Sequence, residues 1–170
     1  MKIVNLDGYT TNPGDLSWDW LGNYGEYKVY DRTAPEQIVE RAKGADILII
    51  NKSVITAQML ENLPNLKFVG LQSTGYNVID CKAARARNIT VSNIPAYSTT
   101  GVAQLVFAFI LQVADNVSLH SDAVHNGEWC ECPDFCFWKT PLTELDGKTI
   151  GIIGFGSIGR RVAQIANAFG

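Results

Sequence analysis

No apolar run in this 170-residue chain approaches the roughly 20 residues that cross a bilayer as a helix; the longest is residues 105–111. Met1-Lys2 leads straight into a strand-like segment, so no signal peptide is expected ahead of it. Neither sign of charge dominates. A net charge of −3 argues against nucleic acid or an anionic membrane as the main partner. Histidine is scarce. His120 and His125 are five apart, so on a helix they point about 140° from each other and make a poor ligand pair. The cysteines are Cys81, Cys130, Cys132 and Cys136. The last three form C-x-C-x3-C, which matches no common zinc spacing, so no metal is expected and the thiols read as free, in a cytoplasmic protein. Neither a paired carboxylate nor a nucleophile–histidine pattern stands out, and there is no internal repeat or low-complexity stretch. What remains is an ordinary globular composition, 46% hydrophobic and 18% charged, long enough for one full domain and part of another.

The most informative stretch is the last, KTIGIIGFGSIGRRVAQIANAFG, residues 148–170. Residues 148–153 are apolar and β-branched, as in a buried parallel strand. A full G-x-G-x-x-G follows at 154–159, and residues 160–169 carry a helical apolar spacing at Val162, Ala163, Ile165, Ala166 and Phe169. Set between a strand and a helix, this motif reads as a dinucleotide-binding turn. Gly154 turns the chain off the strand, Gly156 lets a pyrophosphate reach the backbone, and Gly159 allows close helix–strand packing. The first-turn amides, Ser157 and Ile158 among them, and the helix dipole face the phosphates. The acidic residue that selects NAD over NADP would come about 20 residues later, after Gly170. Only the first βα part of a Rossmann NAD-binding domain is therefore expected.

Ahead of it, strands are expected at residues 2–6, 27–30, 46–51, 67–71 and 89–91. Helices are expected at 16–24, with Trp18, Trp20 and Leu21 packing inward, at 34–43 behind a Thr33-x-x-Glu36 capping box, after a Thr56 cap, and at 78–87. Alternating strands and helices imply an α/β domain built on a doubly wound parallel sheet. Residues 93–98 read as a linker. Thr99 or Thr100 then caps one long helix to about residue 124, ended by Gly127. Its apolar residues nearly encircle it, so a second domain or subunit must cover the remainder, and a homodimer through residues 99–124 is expected. Residues 128–140 read as a loop anchored by Trp129, Phe135, Phe137 and Trp138, with a lid or subunit contact as the alternative.

The order of these parts resembles the D-isomer-specific 2-hydroxyacid dehydrogenase family. The resemblance covers the whole chain and is carried by LQSTGYNVID (71–80), NIPAYSTTGVAQLVFAFIL (93–111), GEW (127–129) and LDGKTIGIIGFGSIGRRVA (145–163). AYSTTGVAQ and DFCFWKTPL look like its glycerate dehydrogenase/hydroxypyruvate reductase branch. The resemblance implies a flavodoxin-like substrate domain at 1–98, lacking its C-terminal return segment. It implies a joining helix and a truncated Rossmann domain at 99–170.

It further implies that the backbone N–H groups of Thr74 and Gly75 hold the substrate carboxylate. Lys52 would add charge for an acidic substrate. Ser98 and Val102 would face the nicotinamide side of the cleft, although helix capping is the plainer role for Ser98. The cofactor would be NAD, with NADP also open, and the substrate a small 2-keto or 2-hydroxy acid: hydroxypyruvate/D-glycerate or glyoxylate/glycolate. Ser157 departs from a frequent Arg and Gln104 from a frequent Glu. The family's catalytic Arg, Glu and His match nothing in these residues and are expected beyond residue 170, so the 170 residues alone are expected to be inactive. The alternative is a non-catalytic binding or dimerisation module of the same fold.

Overall fold

A computed structural model describes all 170 residues. The chain divides into two compact units, Met1–Pro95 and Ala96–Gly170.

The first unit is built on five parallel strands: β1 (Lys2–Asn5), β2 (Glu26–Val29), β3 (Ile47–Ile50), β4 (Phe68–Leu71) and β5 (Thr90–Ser92). Their order is β2-β1-β3-β4-β5, the flavodoxin-like arrangement, with β1 and β3 flanking the point where the strand order reverses. Parallel strands need crossovers. Three are supplied by α1 (Ile38–Ala42), α2 (Ala57–Glu61) and α3 (Cys81–Ala86).

Side chains alternate across the pleat. Leu48 and Ile50 of β3 and Val69 and Leu71 of β4 enter the core with Ile38, Leu60 and Ala84 from the three helices. Their neighbours Ile47, Ile49, Phe68 and Gly70 remain half-buried on the other face. The β1–β2 connection is a 3-10 turn, Asp19–Asn23, whose Leu21 is buried outside that core, as is Ile3 of β1.

The second unit consists of α4 (Thr99–Asp115), α5 (Val117–His125), α6 (Glu128–Glu131) and α7 (Ser157–Ala166). Ala103 and Phe107 of α4 pack against Val162 of α7, with Val106, Ile110, Ile152 and Ile165 around them. The Phe107 and Phe169 rings stack at 5.3 Å.

Several local expectations change. Residues 148–153 form no strand, and Ile150 and Ile153 are exposed. A strand exists only through a ladder with a neighbour, and no strand forms anywhere in the second unit. Residues 16–24 give the short 3-10 turn instead of an α-helix, with Trp20 exposed and only Leu21 buried. Thr33 does not cap its helix: its hydroxyl donates to the Leu6 carbonyl at 2.8 Å, and the helix opens through a 3-10 turn at Pro35–Gln37. The helix expected from residue 78 begins at Cys81, because Ile79 instead bridges to Ile55 and Asp80 is the N-cap.

The long helix is two. Asn116 adopts the left-handed conformation (φ 49°, ψ 46°), which asparagine tolerates better than most residues, and α4 and α5 meet at 63°. No single helix is long and apolar enough to cross a membrane. Nor is α4 buried all round. Ala103, Phe107 and Ala114 are buried, while Val102, Leu105, Phe109 and Val113 form an exposed stripe. Phe135 and Trp138 do not anchor the 128–140 segment, being 91% and 69% exposed.

Candidate functional site

In the first unit the candidate residues sit where loops leave the carboxyl ends of β3 and β4. In open α/β sheets this edge collects ligands. Ile50 pairs with Leu71 at the strand ends, and Ile55 bridges to Ile79 further on. The bridge is made by the Ile55 N–H donating to Val78 at 2.7 Å and the Asp80 N–H donating to Ile55 at 3.1 Å. Residues 51–54 and 72–78 are therefore two loops tied together at both ends. Lys52 lies in one, Thr74 and Gly75 in the other.

The first loop is organised from β1. The buried Asp7 carboxylate accepts the amides of Asn51, Lys52 and Ser53 at 2.7, 3.0 and 2.9 Å, and the Ser53 hydroxyl at 2.9 Å. These bonds occupy the crevice between β1 and β3. The Lys52 backbone is thus fixed while its side chain stays exposed, at the rim of a cleft of about 280 Å³ shared with Thr10, Arg32 and Thr33. The Arg32 guanidinium lies over the Tyr9 ring at 4.5 Å.

The second loop is held from β5. The Asn93 side-chain amide donates to the Thr74 carbonyl at 2.8 Å, and the Thr74 hydroxyl donates to the Ile94 carbonyl at 3.0 Å. The Ser73 hydroxyl donates to the Gly75 carbonyl at 2.8 Å. Both carbonyls are thereby engaged, whereas the Thr74 and Gly75 amides donate to no backbone oxygen of the chain and lie on its surface. A pair of free N–H groups on an exposed loop suits a small anion.

In the second unit the glycine turn has the geometry its spacing implies. Gly154 has φ +92°, a conformation costly for any other residue. Gly156 is the N-cap of α7, and a Cβ there would meet nothing within 4 Å, so its backbone is open to approach. A Cβ on Gly159 would lie 2.3 Å from the Gly154 carbonyl oxygen and 3.2 Å from the Ile152 side chain. The third glycine is therefore required by the fold and the second is not. The first intrahelical bond runs from the Arg160 N–H to the Gly156 carbonyl. The amides of Ser157, Ile158 and Gly159 thus lack backbone acceptors at the positive end of a ten-residue helix. This set fits a pyrophosphate: donors, dipole and an unobstructed glycine.

Ser98 is the N-cap of α4 by position, but its hydroxyl makes no capping bond; the Val102 N–H donates to its carbonyl at 2.9 Å. Val102 is partly exposed, next to Ala103, which is fully buried against α7. Ser98, Val102 and the 154–159 turn thus belong to one unit, and Lys52, Thr74 and Gly75 to the other. Two organising residues escaped the sequence reading. Asp7 falls just outside the strand expected at 2–6, and Asn93 opens the segment expected as a linker. A short polar side chain close behind a strand is the only trace either leaves in the sequence.

A family model for the D-isomer specific 2-hydroxyacid dehydrogenase catalytic domain matches residues 10–165. The hydroxypyruvate reductase of Blautia hydrogenotrophica is 47% identical across the whole chain, which spans 54% of that protein. The glycerate dehydrogenase of Methylorubrum extorquens is 38% identical over 85% of the chain and 46% of its own length. Among solved structures, an acyclic imino acid reductase in complex with NADPH and D-Arg superposes with a TM-score of 0.76 at 33% identity, covering 99% of this chain and 53% of that one. The chain thus spans about half the length of the curated relatives it matches.

Proposed function

The chain belongs to the D-isomer specific 2-hydroxyacid dehydrogenase family, and from that premise we propose that it supplies the substrate-carboxylate site and the pyrophosphate turn of an enzyme that reduces a small 2-keto acid to a D-2-hydroxy acid. Hydroxypyruvate and glyoxylate are the preferred substrates, by likeness to relatives that carry those names. The observation that carries the reading is the contrast at the glycine turn. Gly159 has no room for a side chain, while Gly156 has room for one and leaves its backbone open to approach.

The chain's own residues divide the work. The Thr74 and Gly75 amides hold the substrate carboxylate, with Lys52 adding positive charge at the same sheet edge. Gly154 and Gly159 shape the turn, and the amides of Ser157 and Ile158 receive the pyrophosphate of a nicotinamide dinucleotide. Ser98 and Val102 flank its nicotinamide half. When bound, that cofactor supplies the hydride taken up by the 2-carbon. The exposed α4 stripe supports a homodimer: Leu105, Phe109 and Val113 recur on one helical face and would be covered by a second copy.

The test is spectrophotometric. Residues 1–170, continued to the length of the relatives, should oxidise NADH or NADPH in the presence of hydroxypyruvate or glyoxylate. Absence of turnover on every short 2-keto acid offered would refute the activity.

A further inference from the structure

Cys132 and Cys136 take no part in the site above, yet their arrangement is specific. Cys132 follows α6 in extended conformation (φ −73°, ψ 130°). The chain then bends through residues 133–135, so that the Cys132 thiol donates to the Cys136 carbonyl at 3.6 Å. That oxygen is two bonds, of about 1.23 and 1.52 Å, from the Cys136 Cα, which puts the Cys132 sulfur within roughly 6 Å of it. Closing a bridge then requires the exposed Cys136 side chain to turn toward that sulfur. The return of the loop is supported from outside, since the Trp129 indole N–H donates to the Phe135 carbonyl at 3.2 Å. Cys130 lies within α6, whereas the Cys132 thiol turns toward the Cys136 carbonyl. Cys130 is therefore the poorer partner for Cys132, despite being nearer in sequence. Cys136 is exposed and lines a cleft of about 480 Å³ with His120, Trp129 and Phe137.

We propose that Cys132 and Cys136 form a reversible intrachain disulfide when the chain meets a small-molecule disulfide oxidant of the glutathione type. The exposed Cys136, as thiolate, attacks one oxidant sulfur. A mixed disulfide forms and one small thiolate leaves. Cys132 gives up its proton to solvent and attacks the Cys136 sulfur, releasing the second small thiol. Two electrons pass from the cysteine pair to the oxidant, which ends as two thiols. The bridge replaces the weak thiol–carbonyl contact with a covalent one and fixes the mouth of the His120–Trp129 cleft.

The experiment is thiol counting with peptide mapping after exposure to oxidised glutathione. The four alkylatable thiols should fall to two, Cys81 and Cys130, with a mass lower by two hydrogens and full recovery on adding a dithiol. Cys130→Ser should keep the bridge, and Cys136→Ser should lose it. The native chain should close the bridge faster than the same chain in guanidinium. A Cys130–Cys132 bridge, glutathione left on both cysteines, no reaction, or equal rates in the native and unfolded chain would each overturn the proposal.

Discussion

Ser53 gives both its backbone N–H and its hydroxyl to the Asp7 carboxylate, each at 2.9 Å. With the Asn51 and Lys52 amides on the same group, one buried side chain just past β1 sets the path of the loop after β3. Asp7→Ala strands three amides in or near the core, each costing about 1–3 kcal/mol. The expected loss is about 3 kcal/mol or more, read from the denaturant midpoint. A change within 1 kcal/mol, a threshold near the net worth of a single hydrogen bond, would mean that the loop is held by other contacts.

The two inner glycines should separate fold from binding. Gly159→Ala drives a methyl into the Gly154 carbonyl and should destabilise the second unit by about 1–3 kcal/mol, as overpacking does. Gly156→Ala meets nothing in the chain, so its cost is confined to a poorer N-cap and should fall below that of Gly159→Ala. In the protein continued to its relatives' length, however, Gly156→Ala should weaken dinucleotide binding at least tenfold, equivalent to about 1.4 kcal/mol. Calorimetry and a binding titration on both variants decide it. Unchanged affinity in Gly156→Ala would remove the role given to that backbone.

Asn93→Ala releases the Thr74 carbonyl from its tether. One such bond is worth about 1 kcal/mol net. In the extended protein, KM for the keto acid should therefore rise about fivefold while kcat stays near its original value. A fall in kcat with constant KM would place Asn93 elsewhere in the reaction.

At the other end of the sheet, Asp46 joins three strands. Its carboxylate accepts from the Lys67 ammonium at 2.9 Å and from the Lys2 amide at 2.9 Å. The Lys67 bond first, then the Lys2 amide, holds its carboxyl below the ordinary 3.8. A folded value below the unfolded one contributes stability that is complete above about pH 4 and fades as pH falls through the folded value. Asp46→Asn should flatten the acid limb of the stability–pH curve and move its neutral plateau down. An acid limb of unchanged slope would assign the effect to other carboxylates.

The α4 stripe gives a test of assembly. Leu105→Asp with Phe109→Asp puts charge on residues that are 53% and 63% exposed within one chain, so the folded protomer should survive. Sedimentation should show the proposed dimer lost. If the sedimentation coefficient matches the parent's, that face is not the interface.

How much of this was legible depended on how local the determinants are. The five strands of the first unit follow from runs such as Ile47–Ile50, and the glycine turn follows from its spacing, because both are written in consecutive residues. Asp7 could not be found this way, since its partners lie 44 to 46 residues away. The 148–153 segment failed for the opposite reason. Its residues suit a strand, but a strand is a property of two segments. Asn116 split a convincing apolar run because a single left-handed residue turns a helix whatever the hydropathy around it. Thr33 and the 128–140 aromatics show the same limit: the side chains were suited to the role, and tertiary partners decided otherwise.

The Ile55–Ile79 bridge closes residues 51–54 and 72–78 into a paired buckle whose far side is fastened independently of the strands. Such a buckle can be recut. The 51–54 half has no slack, because its amides are held on the Asp7 carboxylate, so any change of length that spares the sheet falls in the 72–78 half.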